Sequence, residues 1–150
     1  MVLREAIEAD VPVLADAWYA MMKELGLLAP RVQASWRELL TADFARGMAR
    51  GRQRWILAEK DGRIAATGGI FFRRDPVALA LSGLTATIAG MYTWPDFRRT
   101  GCARAIVERL IGYARAEGCA SVRLRASPQG RALYERLGFR PGDDMILPLG

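Results

Sequence analysis

Up to Gly51 the apolar residues recur at intervals of three and four. The opening Val2 to Ile7 reads as a short strand. Behind Asp10 as N-cap, Val11, Leu14, Trp18, Met21, Met22 and Leu25 then fall at helical spacing, with Gly26 as the stop. Ser35 and Glu38 stand at capping-box spacing and start a second helix, in which Trp36, Leu39, Leu40, Phe44 and Met48 lie near one face and Gly51 marks the end.

Beyond Gly51 the rhythm changes. Trp55 to Glu59 and Ile64 to Phe72 flank Asp61-Gly62, which supplies the positive φ angles of a tight hairpin turn; Gly68 and Gly69 weaken the second strand and suggest a bulge there. Arg73 to Gly83, with Pro76, Ser82 and Gly83, reads as a connection, and Leu84 to Thr93 as a strand rich in Thr and Ile. From Gly101 to Glu117 a helical stripe runs through Ala103, Ile106, Val107, Leu110, Ile111 and Ala114 to Gly118. Cys119 to Ala126 reads as a strand, Gln129 to Leu137 as a short helix stopped by Gly138, and Asp144 to Leu149 as a last strand after Pro141-Gly142. The order βααβββαβαβ, without repeat or linker, is expected to make one α/β domain over residues 1–150.

Composition narrows the chemistry. The chain has 150 residues, 51% hydrophobic and 25% charged, which is the balance of a globular protein able to bury a core. It lacks a run long and apolar enough for a membrane span and a signal-peptide pattern, so the cytoplasm is the expected compartment. Histidine is absent, and Cys102 and Cys119 are the only cysteines, so neither a metal site nor a Cys/His pair can be built from the usual ligands. The net charge of +6 would suit nucleic acid, a membrane surface or a phosphate-rich cofactor. Interleaved carboxylates and the lack of a basic tail argue against nucleic acid.

The stretch Ile88 to Ala103, IAGMYTWPDFRRTGCA, runs from a strand through a proline-marked turn into Gly101 and an amphipathic helix. Unpaired N–H groups and the dipole at such a helix start can hold a pyrophosphate. Small residues at Gly101 and Ala103 permit close approach, and Arg98, Arg99 and Arg104 add positive charge. By itself the stretch also fits a plain tight turn with solvated arginines.

Arg98-Arg99-Thr100-Gly101-Cys102-Ala103 resembles the Arg/Gln-x-x-Gly-x-Gly/Ala signature of GNAT N-acyltransferases, and Ala132 to Phe139, ALYERLGF, resembles the block that follows in that family. The resemblance implies the GNAT fold: a mixed, mostly antiparallel sheet of six to seven strands flanked by four helices and splayed between strands 4 and 5. It implies acetyl-CoA as co-substrate, with a cofactor site formed by Met91, Tyr92 and Thr93 on the splayed strand, by Arg98, Arg99, Thr100, Gly101, Cys102, Ala103 and Arg104 at the turn, and by Ser127. Tyr134 would protonate the departing thiolate. Without the family, Tyr134 reads as a packed aromatic on an amphipathic helix.

Two departures from the family matter. Ser127 stands where many relatives carry Asn, and Leu84 to Thr93 holds no carboxylate to serve as general base. Asp96 reads as solvated; Glu24, Glu38, Glu59 and a water relay remain open. The acceptor is expected to be an amine bound between the first two helices and the 73–83 connection. The lack of an acidic run favours a neutral or anionic small molecule over a polycation, and a peptide N-terminus stays open. Cys102 lacks a base and does not read as an acyl carrier. A silent acyl-CoA sensor and a basic nucleic-acid module are the alternatives, and apolar residues in the connection or the last strand leave a homodimer seam open.

Overall fold

The computed structural model describes residues 1–28, 34–79 and 82–149. Its sheet has five strands in sequence order: β1 (Val2–Glu5), β2 (Gln53–Lys60), β3 (Arg63–Arg74), β4 (Leu84–Thr93) and β5 (Val122–Leu124). The first three pairings are antiparallel, and β4 pairs β5 in parallel. Helices α1 (Val11–Glu24) and α2 (Trp36–Ala49) connect β1 to β2; α3 (Cys102–Ala116) links β4 to β5, and α4 (Arg131–Arg136) follows β5. The fold class is therefore the expected mixed α/β one.

Two buried clusters fill the space around the sheet. One holds Ile56, Ile70, Ile88, Ile106, Val107 and Leu110, from the sheet and α3; the other holds Val11, Leu14, Phe44, Trp55 and Leu57, from α1, α2 and the sheet. The α3 stripe is buried as its period requires.

Trp55, 1% exposed, organises the second cluster. Its ring lies against the bare backbones of Gly69 and Gly90: a Cβ on either would come within 2.8 Å and 2.5 Å of the indole. Phe44 packs 4.7 Å from it and Phe71 meets it edge-on at 5.6 Å. The indole N–H donates to Gln53 Oε1 at 3.1 Å, and the Gln53 amide fills the place where Gly47 of α2 lacks a side chain. Gly68 is bare for the opposite reason, since Met91 and Ile106 press on it from the α3 side.

The glycines of β3 therefore admit large side chains on both faces, and the bulge lies across from them. Between Ala89 and Tyr92, β4 takes three steps while β3 takes two from Thr67 to Gly69. Gly90 absorbs the extra residue at φ 65°, and Thr67 Oγ1 donates to its carbonyl at 3.0 Å.

Several expectations need correction. The sheet has five strands rather than six to seven, because Asp144 to Leu149 forms no ladder; Phe139 is held by its N–H to the Tyr134 carbonyl, and the chain then runs out exposed. The strand expected over Cys119–Ala126 is confined to Val122–Leu124. Asp10 accepts from the Ile7 N–H and a fork from Arg4 and does not cap α1; Arg4 lowers its carboxyl below the usual range. Ser35 makes no cap bond, since its backbone (φ −89°, ψ 17°) lacks the extended shape that aims a hydroxyl into the first turn. Leu25 and Leu39 are exposed. In the 73–83 connection, β3 continues to Arg74 and a short turn covers Pro76–Ala78; residues 80 and 81 lie outside the described residues.

Gly90→Ala should lower the unfolding free energy by about 2–4 kcal/mol, through overpacking against Trp55 and strain at positive φ. Gly112→Ala, in α3 with no atom within 4 Å of the added carbon, should leave it unchanged or raise it. Urea unfolding of the two variants measures both.

Candidate active site

The bulge sets the phase of the strand that leads into the turn. Simple alternation from Ile88 would put Tyr92 on the α3 face. The extra residue instead gives that face to Met91, which packs on the α3 cluster, and turns Tyr92 toward α1. Beyond Ile88, β5 no longer follows β4: their register covers only Ala86–Ile88 against Val122–Leu124. The β5-side edge of β4 from Ala89 to Thr93 thus has no ladder partner among the described residues, which is the expected splay.

After Thr93 the chain makes a tight turn over Pro95–Phe97, with Phe97 buried and its carbonyl accepting the Thr100 hydroxyl at 2.6 Å. Arg99 and Gly101 both take positive φ, 63° and 85°. They aim the start of α3 outward, and a Cβ built on Gly101 meets nothing within 4 Å. The first bond into the helix runs from the Ala105 N–H to the Gly101 carbonyl. The N–H groups of Cys102, Ala103 and Arg104 are therefore left without helical acceptors at the positive end of the dipole. The Cys102 side chain points inward, 1% exposed, with its sulfur 3.3 Å from Thr100 Oγ1. Backbone, and not thiol, faces the open side.

The arginines around the turn are not all free. Arg98 donates through Nε to the Thr93 carbonyl at 3.0 Å and through Nη2 to both oxygens of Glu24 at 2.9 and 2.8 Å. Arg104 pairs with Glu108 one turn along α3, at 2.9 Å. Arg99 is exposed and in no ion pair among the described residues. Asp96 is solvated, 3.6 Å from Arg63.

Glu24, at the end of α1, also accepts the Tyr92 hydroxyl at 2.8 Å. Burial, then the Glu24 carboxylate, pushes the Tyr92 phenol above its ordinary range. A carboxylate remote in sequence is thus fastened to the end of β4 by two donors. Glu59 instead pairs with Arg4 on the β1 side, and Glu38 is exposed in the first turn of α2.

Tyr134, on α4, belongs to the same buried cluster as Phe97, Cys102 and Ile106. Its ring covers the bare Gly130 backbone and meets Phe139 edge-on at 5.9 Å. Its hydroxyl has no hydrogen-bond partner among the described residues, and it is not sealed from solvent. Burial raises its pKa, so the phenol keeps its proton at neutral pH. The Ser127 hydroxyl accepts the Gly130 N–H at 3.1 Å and its carbonyl accepts the Arg131 N–H at 3.0 Å, so Ser127 shapes the start of α4. The unused O–H remains a donor.

Met91, Cys102 and Tyr134 are therefore brought to one cluster, while Tyr92 faces the opposite side of the sheet. Glu24 is the partner that the sequence pattern did not place there. Among the described residues no group of three His, Cys, Asp or Glu side chains could hold a metal ion, and no helix is long and apolar enough to cross a membrane.

Comparison with known proteins agrees with this architecture. A rice (Oryza sativa subsp. japonica) protein, glucosamine 6-phosphate N-acetyltransferase 1, is 26% identical over 129 residues, covering 84% of this chain and 76% of that one. The crystal structure of a predicted acetyltransferase with acetyl-CoA from Clostridium acetobutylicum is 26% identical, with a TM-score of 0.86 over 98% of this chain and 94% of that one. A GCN5-related N-acetyltransferase from Ralstonia eutropha JMP134 shares the fold at a TM-score of 0.85, with 22% identity over 99% and 97% of the two chains. Residues 18–139, from within α1 to Phe139, match the acetyltransferase (GNAT) family as a whole. The chain belongs to that family, and it is an acyltransferase.

Proposed function

We propose that this protein moves the acetyl group of acetyl-CoA onto a primary amine of a small molecule or peptide, by direct attack in a ternary complex. The observation that carries the reading is the Gly101 turn: left-handed backbone, open space above it, and the unpaired N–H groups of Cys102, Ala103 and Arg104 beside the unpartnered edge of β4. The N–H groups would hold the pyrophosphate, with Arg99 adding charge, and Met91 to Thr93 would pair with the pantetheine arm and stabilise the oxyanion. The amine nitrogen bonds to the thioester carbon, the carbon–sulfur bond breaks, and Tyr134 gives its proton to the thiolate. The ammonium proton lost by the acceptor leaves through water, and the phenol is reprotonated from solvent. Ser127 contributes one hydrogen bond from the start of α4.

Glu24 is the acceptor's carboxylate in this reading. A carboxylate has about four lone-pair sites. Tyr92 and Arg98 fill three here, leaving one on Oε2 for the ammonium of the incoming amine. The ammonium gives one proton to water before the nitrogen attacks. The name of the rice relative makes glucosamine 6-phosphate the first acceptor to try, and an anionic amine also suits a chain of net charge +6. The proposal takes residues 1–150 as one catalytic domain acting in the cytoplasm as a homodimer.

Calorimetric titration with acetyl-CoA should show micromolar binding. Gly101→Glu should weaken it by roughly 100-fold, through strain at positive φ and repulsion of phosphate. No binding by the intact protein would remove the donor site.

Tyr134→Phe should lower kcat by about 10²–10³ with donor binding intact, read as thiol release in an amine panel headed by glucosamine 6-phosphate. Because burial raises the phenol's pKa, the acid form persists as pH rises through neutrality; activity should climb with amine deprotonation and fall only above the ordinary phenol range.

Glu24→Gln should raise the acceptor KM about tenfold and leave donor affinity unchanged. An unchanged acceptor KM would remove Glu24 from this role.

A further inference from the structure

Glu24 stands at one end of an open groove on the α1 side of the sheet, and the groove has a second, positive end. Ala17, Ala20 and Glu24 fall on one stripe of α1, three and four residues apart. The two alanines are too small to roof the strand beneath, so Thr87 and Ala89 are exposed although α1 packs on β4. Ala86 and Ile88 belong to the α3 cluster, and Thr87 and Ala89 therefore face the other way. The same alternation holds on β5. Val122, Leu124 and Ala126 pack on the α3 cluster, while Arg123 and Arg125 point to the α1 side, exposed. Arg123 registers with Thr87; Arg125 is one residue beyond the last pair, Ile88 with Leu124, where β5 leaves β4.

Electrostatics single out Arg125. Arg123 has Asp144 at 3.6 Å, and Arg98 is spent on Thr93 and Glu24. Arg125 is in no ion pair, and the Thr87 hydroxyl in no hydrogen bond, among the described residues. Distance then sets the length of a ligand. Ala89 pairs Gly69 and Tyr92 pairs Thr67, so two strand steps, about 7 Å, separate the level of Arg125 from the Tyr92 that holds Glu24. A molecule that spans them carries a primary amine and an anion separated by a short chain or a single sugar ring.

We propose that Arg125, beside the Thr87 hydroxyl, binds an anionic group of the acceptor, so that the substrate is a small zwitterion with its amine at Glu24 and its carboxylate or phosphate at β5. The inference rests on the reading of Glu24 given above and adds the opposite pole of that site. A guanidinium suits the task, since its fork pairs with two oxygens of either anion. The two poles also orient the acceptor. A reversed ligand meets like charge at both ends, so the amine is the end delivered to β4.

Two matched pairs of probes test this: glucosamine 6-phosphate against glucosamine, and ε-aminocaproate against hexylamine. With acetyl-CoA saturating, thiol release should give each anionic member a KM about tenfold below that of its neutral partner. Arg125→Ala should abolish that ratio by raising the KM of the anionic member alone, and Arg125→Lys should keep most of it. Arg109→Ala, which removes one exposed positive charge from α3, should leave the ratio unchanged, with acetyl-CoA affinity unaltered in all three variants. A ratio near one in the intact protein overturns the proposal, as does a ratio that survives Arg125→Ala or falls equally in Arg109→Ala. Calorimetry of the anionic probes on the CoA-bound protein separates this site from the reaction. Binding that depends on Arg125 without thiol release keeps the anion site and removes the acyl-transfer reading; thiol release without that dependence keeps the reaction and overturns the anion site.

Discussion

The Trp55 ring needs two places without side chains, and the structure supplies them at Gly69 and Gly90. Most of what positions the site follows from that contact. Gly90 can lie under the indole because it has no Cβ, and its left-handed backbone takes up the extra residue of the β4 bulge. The bulge shifts the strand's alternation by one, sending Met91 toward α3 and Tyr92 toward α1. The same ring holds α2 against the sheet through Gln53 and the bare Gly47. Close packing on a ring of this size leaves little room for intermediate arrangements, so strand phase and helix position are set together.

Legibility in the sequence followed the range of the interactions. The α3 stripe, the Asp61-Gly62 hairpin and the Gly101 turn could be read because period and glycine conformation are local properties. The splay could not be read from periodicity; it came with the resemblance carried by Arg98 to Ala103 and by Ala132 to Phe139. The irregularity expected at Gly68 and Gly69 does lie at that level, between Thr67 and Gly69, but the extra residue there belongs to β4. Gly68 and Gly69 looked like the irregularity, yet they are bare to receive Trp55 and Ile106, and nothing near Gly90 in sequence announces a ring that belongs to residue 55.

Glu24 shows the same limit at the site. Its bonds to Tyr92 and Arg98 span 68 and 74 positions, so no motif could join them. Arg98 carries the opening letter of the signature, but its side chain is spent on a carbonyl of β4 and a carboxylate of α1. Arg104 is likewise paired, with Glu108, so of the three arginines around the turn only Arg99 is in no ion pair among the described residues. The tail failed differently: Asp144 to Leu149 has the apolar content of a strand, but a strand exists only with a ladder partner, which the pattern cannot promise.

Cys102 stands first in α3 with its backbone toward the open side and its thiol packed beneath, while Cys119 is only partly covered. A small alkylating reagent therefore reaches Cys119 in the folded protein and reaches Cys102 only when the turn opens. The rate of the second labelling event is a clock for the local opening of the Gly101 turn. A ligand that grips the Cys102 amide slows that clock in proportion to its occupancy, so the protein carries its own reporter of whether the turn is filled.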